Sequence, residues 1–353
     1  MSKIRVVIGL SGGVDSAVSA AVLVERGYQV TGVFLECWKE PGCRTDEDRK
    51  DALAVALKLK VPFKVLDFKR EYKQKVVDYF YSEYKAGRTP NPDVMCNQEI
   101  KFGLFYDWVM KQGFDYVATG HYAKIVCAQK SVHPDFFRLM IPEDKHKDQT
   151  YFLYRLRREQ LAHILFPLAD LTKAEVRKEA RERGLPVAEK PDSQGICFIG
   201  EVNINQFLRE RLPVERGEVV DTRGRVIGEH DGAWFYTIGQ RHGFRTGGGK
   251  PPMYVINNDV KKNRLVVGFG AETYRDQFTV SDVNWLTQMP NDKLQTLNLR
   301  VRIRHGGELI PAEFRIYNSE FVIHLVEPQR GIAPGQSAVV YDGDVVLGGG
   351  VIS

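Results

Sequence analysis

Two sets of residues in this chain have the types and spacing to do chemistry, and the first is the string Ser-Gly-Gly-Val-Asp-Ser at residues 11–16. It follows an apolar run, so a buried strand is predicted to enter a tight turn and then a helix that starts near Ser16. Gly12 and Gly13 let the backbone aim successive N–H groups at one anion, and the helix start adds its positive dipole end. The string lacks the lysine with which a Walker loop reaches the terminal phosphates. It therefore predicts a nucleotide site that does not transfer a γ-phosphoryl group.

The second set is a pair of cysteines in polar segments. Cys96 ends a proline-containing loop, and we expect it at the N-terminus of a helix that begins around Gln98. A helix N-terminus stabilises a thiolate, and Asp93 stands nearby as a proton carrier. Cys197 lies in a short polar turn that leads into an apolar strand. The remaining cysteines lack such surroundings and are predicted to be ordinary buried or surface thiols: Cys37, Cys43 and Cys127. Because no Cys-x₂-Cys pair or close Cys and His spacing occurs, no metal site is predicted.

The elements that must position these residues alternate between strand-like and helix-like runs before residue 200. The strand-like runs are residues 28–35, 62–68 and 115–119, and the helix-like runs are residues 46–59, 71–85, 98–111 and 173–183. Such alternation is typical of a parallel sheet covered on both faces. Ligands bind at the C-terminal strand edge of these sheets, where residues 11–16, Leu35 and Gly120 would lie.

Glycine usage predicts where this architecture ends. Of 32 glycines, 12 fall before residue 200 and 20 fall in the shorter remainder, as expected if helix-rich structure gives way to tightly turned β structure. We therefore predict an α/β fold with three domains. Residues 1–200 form a Rossmann-like catalytic domain, residues 201–272 a small β-rich central domain, and residues 273–353 a C-terminal β-barrel.

One strand of the predicted barrel carries alternating arginines. Leu297, Leu299, Val301 and Ile303 alternate with Arg300, Arg302 and Arg304, so one face is apolar and the other basic. The basic face could follow an RNA backbone, or it could be the solvated outer face of a barrel strand. The formal net charge of +5 over 353 residues is too small to decide between them.

Composition is that of an ordinary soluble chain. There is no run of 18 apolar residues, and the first strand begins about three residues after Met1, which leaves no room for a targeting peptide. Five cysteines at irregular spacing fit a reducing compartment. We expect a cytoplasmic protein with no membrane partner.

Six blocks of this sequence resemble, in the same order, the bacterial tRNA-specific 2-thiouridylases, a family within the ATP pyrophosphatase superfamily. The blocks are residues 9–16, 87–97, 118–122, 147–153, 195–200 and 334–339. The resemblance covers essentially the whole chain. It implies that tRNA is the partner and that ATP with Mg²⁺ is consumed to AMP and pyrophosphate while the wobble uridine exchanges its 2-oxygen for sulfur.

The resemblance also implies a role for each matched residue. Cys197 would carry a persulfide, Cys96 would be its catalytic partner and Asp93 would move protons. The residues implied to hold the nucleotide are Gly9, Leu10, Ser11, Gly12, Gly13, Val14, Asp15, Ser16, Leu35 and Gly120. Those implied to meet the target base or other parts of the tRNA are Asn91, Pro92, Asp93, His121, Lys147, Asp148, Gln149, Arg304, His305 and Gln336. A sulfur carrier protein or a cysteine desulfurase would load Cys197 of a monomeric enzyme.

Several alternatives stay open at this point. Cys96 could release sulfur after Cys197 has attacked the base, or it could release sulfide first, and an iron–sulfur cluster could take part. An amide or NAD synthetase would share residues 11–16 but would not need the two cysteines. A 4-thiouridine-type enzyme would carry an extra N-terminal RNA-binding domain. An ATP-gated RNA-binding module would not need Asp93, Cys96 and Cys197.

Overall fold

The computed structural model describes residues 3–39, 43–128, 133–192, 204–247, 252–287, 299–317 and 320–353. Three sheets organise this part of the chain. The first is parallel and lies in the N-terminal part, the second is mixed, and the third closes into a barrel at the C-terminal end.

The first sheet has five parallel strands in the order β3-β2-β1-β4-β7. Its strands are β1 (Arg5–Gly9), β2 (Gln29–Glu36), β3 (Phe63–Asp67), β4 (Tyr116–Ala118) and β7 (Ile164–Leu165). The central strand β1 is fully buried at Val6, Val7 and Ile8. Such continuous apolar runs form because both faces of a parallel sheet are covered. The prediction of an α/β layout is confirmed.

Helices cover this sheet and connect its strands. They are α1 (Val14–Glu25), α2 (Thr45–Leu59), α3 (Lys69–Tyr72), α4 (Asp78–Lys85), α5 (Pro92–Met95), α6 (Tyr106–Lys111), α7 (Lys173–Glu182) and, beyond the sheet, α8 (Ile204–Arg209). A π-helical stretch, Lys73–Val77, joins α3 to α4, and a second, Cys96–Phe105, joins α5 to α6. Short 3₁₀ turns lie at Pro134–Phe136, Thr150–Phe152, Arg158–His163, Ala233–Phe235 and Gly270–Thr273.

The second sheet has the order β10-β9-β8-β12-β11. Its strands are β8 (Gly217–Val220), β9 (Val226–His230), β10 (Arg245–Thr246), β11 (Tyr254–Asp259) and β12 (Arg264–Gly268). β8 and β12 pair in parallel, while the other neighbours are antiparallel. This is the β-rich segment that the glycine usage predicts.

The C-terminal barrel closes through six antiparallel strands, because β13 pairs with both β16 and β18. The strands are β13 (Tyr274–Trp285), β14 (Leu299–Arg302), β15 (Ile310–Tyr317), β16 (Glu320–Arg330), β17 (Ser337–Asp342) and β18 (Val345–Ile352). The barrel is not an isolated sheet. The N-terminal hairpin of β5 (Lys124–Cys127) and β6 (Phe137–Met140) extends it, with Leu139 opposite Val346.

Packing follows this continuity of the sheet. One hydrophobic cluster contains Val7 and Phe105 from the parallel-sheet region together with Tyr341 and Val346 from the barrel. The domain limits at residues 200 and 272 stay predictions. Among the helices that the structure describes, none is long and apolar enough to cross a membrane.

Candidate active site

The glycine-rich segment forms a tight turn between β1 and α1. α1 begins at Val14, two residues earlier than predicted, and Gly13 is its N-cap. Gly12 has a φ of +77°, and a Cβ added there would lie 2.3 Å from the carbonyl oxygen of Asp48. Only glycine fits a position with both this backbone conformation and this approach. The tight glycine turn that the sequence predicts is therefore present, and its binding of a nucleotide stays a prediction.

Serine hydroxyls close the turn from within. The backbone N–H of Ser11 donates to Ser16 Oγ at 3.1 Å, and that hydroxyl donates to the carbonyl oxygen of Gly13 at 3.0 Å. The two serine hydroxyls lie 3.2 Å apart. Ser16 is buried and fixes the turn, while Ser11 is exposed at its mouth.

Leu35 and Gly120, which the resemblance implies hold the nucleotide, lie beside this turn. A Cβ added to Gly120 would approach the Ser16 nitrogen to 2.7 Å, so the segment after β4 packs directly on the start of α1. Leu35 is half-buried near the C-terminal end of β2, whose residue Val33 pairs with Gly9. The turn, Gly120 and Leu35 thus share the C-terminal edge of the parallel sheet, as the strand order requires.

Three cations that the sequence analysis did not single out lie near this turn. Lys173 Nζ is 2.6 Å from Asp15 Oδ1 and 2.9 Å from Asp192 Oδ1. Arg177 contacts the same Asp192 oxygen at 2.5 Å. Lys190 Nζ donates to the Gly12 carbonyl oxygen at 2.9 Å.

Asp192 is the common partner of several cations. Lys147 Nζ reaches its second oxygen at 3.0 Å, in addition to the contacts from Lys173 and Arg177. Burial opposes ionisation of this carboxyl, but the hydrogen bonds from Lys173 and Lys147 prevail and hold its pKa below the ordinary value. Burial and the Asp15 carboxylate raise the pKa of Tyr122, whose hydroxyl donates to Asp15 at 2.9 Å. Tyr122 is therefore a neutral donor at this site.

The loop before Cys96 is organised differently from the prediction. The helix begins at Pro92, and Asn91 is its N-cap, with its side-chain oxygen accepting from the Val94 N–H at 3.2 Å. The expected start around Gln98 is wrong, because Asn at the N-cap and Pro at the first helical position favour an earlier start. Cys96 consequently lies inside the helix, is 2% exposed and begins the π-helical stretch. The dipole effect fades within the first turn, so it stabilises a Cys96 thiolate less than expected.

Capping by Asn91 gives a testable expectation. Asn91→Ala should lower the free energy of unfolding by about 1 kcal/mol, because a first-turn N–H loses its acceptor. Asn91→Asp should keep most of that stability, since aspartate caps equally well. Thermal unfolding of both variants measures the stability that the cap contributes. The tRNA affinity of Asn91→Asp then reports on the base contact implied for Asn91. Equal stability of the alanine variant and the parent would contradict the capping role.

Two other parts of the chain hold this loop in place. Gln336 Nε2 donates to the carbonyl oxygens of Thr89 at 2.9 Å and Pro90 at 3.2 Å. The Thr89 N–H donates to the Pro334 carbonyl at 2.7 Å. From the second sheet region, Thr237 Oγ1 lies 3.0 Å from Thr89 Oγ1. The contact of Gln336 with tRNA stays a prediction, and its amide already anchors the loop that leads to Cys96.

A single segment connects the turn at residues 11–16, called the phosphate turn from here on for its predicted role, to the Cys96 helix. Gln149 and Tyr122 form two hydrogen bonds. The Gln149 N–H donates to the Tyr122 carbonyl oxygen at 3.0 Å, and the Tyr122 N–H donates to Gln149 Oε1 at 2.9 Å. Farther along, the Phe152 carbonyl accepts from Asn97 Nδ2 at 3.3 Å. Residues 147–153 therefore bridge the two predicted halves of the site.

Barrel residues approach the same segment. The His305 ring lies 4.3 Å from the ring of Phe152, between ring centroids. Burial lowers the pKa of His305, although the carboxylates of Asp148 and Asp93 oppose the shift. Arg304 and His305 lie in a loop beyond β14, where Arg304 is exposed and the His305 ring has one side against Phe152 and the rest exposed. Their contact with tRNA stays a prediction, as does that of Lys147, which is exposed and held by Asp192.

The arginine stripe is not continuous. Arg300 is exposed, but the Arg302 side chain is only 10% exposed and its guanidinium donates to Asp148 Oδ2 at 2.5 Å. The Asp148 side chain is 2% exposed and also accepts from Thr150 N–H and Oγ1. The hypothesis of three exposed arginines is wrong at Arg302, because the segment 147–153 covers that part of the strand.

His121 is buried as well. Its Nδ1 lies 2.7 Å from Thr119 Oγ1, and Phe102 and Phe166 pack around the ring. Asp148 and His121 therefore point into the protein, and the tRNA contacts implied for them stay predictions.

Burial of His121 predicts a pH effect. Desolvation lowers the pKa of His121 well below its ordinary value. Below about pH 6.5 the unfolded chain binds a proton that the folded chain excludes, so stability falls as the pH falls. Equilibrium unfolding of His121→Gln between pH 5 and pH 8 should show an acid-side slope smaller by about 1.4 kcal/mol per pH unit. An unchanged slope for His121→Gln would contradict the expectation.

The cysteines other than Cys96 differ in how far the structure describes and exposes them. Cys197 lies outside the described residues. Cys37 and Cys43 are half-buried and Cys127 is exposed. Within the part of the chain that the structure describes, no group of three His, Cys, Asp or Glu residues could hold a metal ion. The described residues thus offer no ligand set for an iron–sulfur cluster.

Comparisons with known proteins cover nearly the whole chain. Family models match residues 4–201 as a "tRNA methyl transferase HUP domain", residues 205–269 as a "tRNA methyl transferase PRC-barrel domain" and residues 275–352 as an "Aminomethyltransferase beta-barrel domain". The tRNA-specific 2-thiouridylase MnmA of Listeria monocytogenes is 45% identical over 358 residues, which is 99% of this chain and 95% of that protein. The protein of the same name from Streptococcus mutans is 46% identical over 365 residues, with the same coverage.

Solved structures are more distant. The U34-tRNA thiolase NcsA from Methanococcus maripaludis is 20% identical, with a TM-score of 0.36 over 54% of this chain and 61% of that one. At this score the likeness supports no statement about function.

Proposed function

The chain belongs to the tRNA-specific 2-thiouridylases, a family of sulfurtransferases that act on tRNA, and from that premise we propose how its residues carry out the reaction. We propose that the enzyme uses ATP in the cytoplasm to replace the C2 oxygen of the wobble uridine with sulfur. tRNAs of the lysine, glutamate and glutamine class are the substrates.

The observation that carries this proposal is the bridge formed by residues 147–153. It contacts Tyr122 beside the phosphate turn and Asn97 beside Cys96. A site that activates an oxygen with ATP and then transfers sulfur needs both functions within reach of one base. The bridge also pairs with the barrel through Asp148 and Arg302, so the proposed tRNA-binding barrel is coupled to both halves.

Activation comes first in this proposal. The uracil C2 oxygen attacks the α-phosphorus of ATP, the bond to pyrophosphate breaks, and the N3 proton passes to Asp93. The N–H groups of residues 11–16 hold the departing pyrophosphate, and Mg²⁺ arrives with the nucleotide as part of the substrate. The adenylylated oxygen is a far better leaving group than the original carbonyl oxygen.

Sulfur transfer follows. The terminal persulfide sulfur on Cys197 attacks C2, and AMP departs with the original oxygen. A Cys96 thiolate then attacks the sulfur atom of Cys197, which breaks the S–S bond to the base. The products are 2-thiouridine and a Cys96–Cys197 disulfide, which an external thiol reduces. In the alternative order, Cys96 attacks the persulfide first, and the released hydrosulfide attacks C2.

Nucleoside mass spectrometry tests this proposal. Unmodified tRNA is incubated with the full-length protein, ATP and either a persulfide carrier protein or a cysteine desulfurase with cysteine. We expect 2-thiouridine at the wobble position together with AMP and pyrophosphate that form only when tRNA is present. Omitting ATP or exchanging the wobble uridine for cytidine is the matched control. Thiolation without ATP, or at another position, would overturn the proposal.

A further inference from the structure

We infer that Lys147, Lys173 and Arg177 bind the β- and γ-phosphates of ATP, and that Asp192 occupies their cationic groups as a stand-in anion when no nucleotide is bound. This inference rests on the proposed use of ATP. It adds a set of phosphate ligands that lies outside residues 9–16, and it assigns Asp192 the role of a competitor for them.

The first support is the position of Lys173. Its ammonium is 2.6 Å from Asp15 Oδ1, and Asp15 belongs to the phosphate turn itself. The Lys173 side chain is only 16% exposed, so it is held at the turn and is not a mobile surface group. A phosphate seated on the turn would therefore lie within the field of this ammonium.

The second support is the charge balance. Lys147, Lys173 and Arg177 carry three positive charges, while Asp15 and Asp192 carry two negative charges. The Asp144 carboxylate, which accepts from the Lys173 N–H at 2.8 Å, brings the group to balance, so the group becomes cationic when Asp192 moves away from its partners. Without Lys173, the carboxylate of Asp15 would face the phosphates of ATP without the cation that contacts it.

The third support is that the cations sit on a fixed frame. Thr172 and Glu175 form a capping box at the start of the ten-residue helix α7, and the Lys173 N–H donates to Asp144 at 2.8 Å. Arg177 donates to the carbonyl oxygen of Ala188 at 2.9 Å. Asp15 also holds the Lys173 ammonium and the Ala188 carbonyl holds the Arg177 guanidinium, so only the contacts with Asp192 need to be exchanged when a phosphate arrives.

The side chains that donate to the Asp192 carboxylate are of the kind that bind the oxygens of a phosphate group. Two lysines and an arginine donate to it, which is more positive charge than one carboxylate neutralises. Arginine and lysine donors in this number are typical of phosphate sites. Asp192 therefore keeps the cations preorganised, but it must give up part of these bonds to the nucleotide.

Calorimetric titration of the full-length protein with MgATP and, separately, AMP tests the inference. Lys173→Gln should weaken ATP binding by at least about tenfold, because a charge-assisted hydrogen bond to a phosphate is lost. Its AMP affinity should stay within twofold, since AMP lacks the β- and γ-phosphates. The control is Lys178→Gln on the same helix, which pairs with Glu182 and is 71% exposed. It should change neither affinity.

A second variant keeps the inference testable if Lys173→Gln does not fold. Lys147 is 44% exposed, so Lys147→Gln should fold like the parent and still weaken ATP binding more than AMP binding. Equal losses for ATP and AMP in Lys173→Gln and Lys147→Gln, or no loss in either, would overturn the phosphate contact. Asp192→Asn should tighten ATP binding severalfold and leave AMP unchanged. Weaker ATP binding by Asp192→Asn would overturn the competitor role.

These outcomes are separable from the proposed function. A protein that makes no 2-thiouridine but loses its ATP preference in Lys173→Gln would contradict the function and support the phosphate contact. A protein that thiolates tRNA while Lys173→Gln keeps its ATP affinity would do the reverse.

Discussion

Serine in place of Cys96 should abolish 2-thiouridine formation, by at least a thousandfold, while tRNA-dependent release of pyrophosphate continues through one turnover. A serine hydroxyl does not ionise near neutral pH and cannot attack a sulfur atom, whereas activation of the base uses no thiol. Cys96 is 2% exposed, and exchanging sulfur for oxygen changes its volume little, so the fold should be kept. Quenched-flow measurement of pyrophosphate and mass spectrometry of nucleosides measure the two steps separately.

The same variant distinguishes the two sulfur routes. If Cys197 attacks the base first, Cys96→Ser should accumulate tRNA joined to the protein through Cys197, visible as a gel shift when thiol reductants are omitted. If sulfide is released first, adenylylated tRNA should accumulate without a protein adduct. Cys127→Ser is the control, because Cys127 is exposed. Full thiolation by Cys96→Ser would contradict the proposed mechanism.

Arg302→Met should destabilise the protein by about 3–5 kcal/mol, because it leaves the Asp148 carboxylate buried without its cation. The side chains of Asp148 and Arg302 are 2% and 10% exposed, so water cannot replace the lost partner. Thermal unfolding monitored by calorimetry measures the effect, and we expect the Tm to fall by about 4–7 °C.

Two further variants complete this test. Arg300→Met, at the exposed position on the same strand, should change stability by less than about 0.5 kcal/mol. Adding Asp148→Asn to Arg302→Met should recover part of the lost stability, since the amide is neutral and can still accept from Thr150. A loss in Arg302→Met no larger than that in Arg300→Met would show that the buried pair contributes little.

The sequence predicts the elements that local patterns encode. The string at 11–16 predicts the phosphate turn, and the alternation of apolar runs predicts the parallel sheet. The start of the Cys96 helix could also have been found, because Asn91, Pro92 and Asp93 are favourable at the N-cap and the first two helical positions. If these residues are read as a loop only, the predicted helix start moves from Pro92, where the structure has it, to Gln98.

Local sequence patterns do not predict features that depend on residues far away in the chain. Alternation of Arg300, Arg302 and Arg304 predicts one basic face, but Asp148, which lies 154 positions earlier, takes Arg302 into the interior. The cations around the phosphate turn are spread from Lys147 to Lys190 with no spacing that marks them. Their convergence follows from the tertiary fold, since helix α7 and the segment after it return to the edge of the parallel sheet.

The strand pair of β6 and β18 also sets the order of assembly during synthesis. Leu139 pairs with Val346, so a strand near the middle of the chain waits for one that is made about 207 residues later. At ribosomal rates that delay is roughly 10 to 40 s. Gln336, which anchors the loop before Cys96, arrives at the same late stage. A nascent chain thus contains Cys96 well before the loop in front of it gains its Gln336 anchor, and the complete site forms only after these barrel strands have been made.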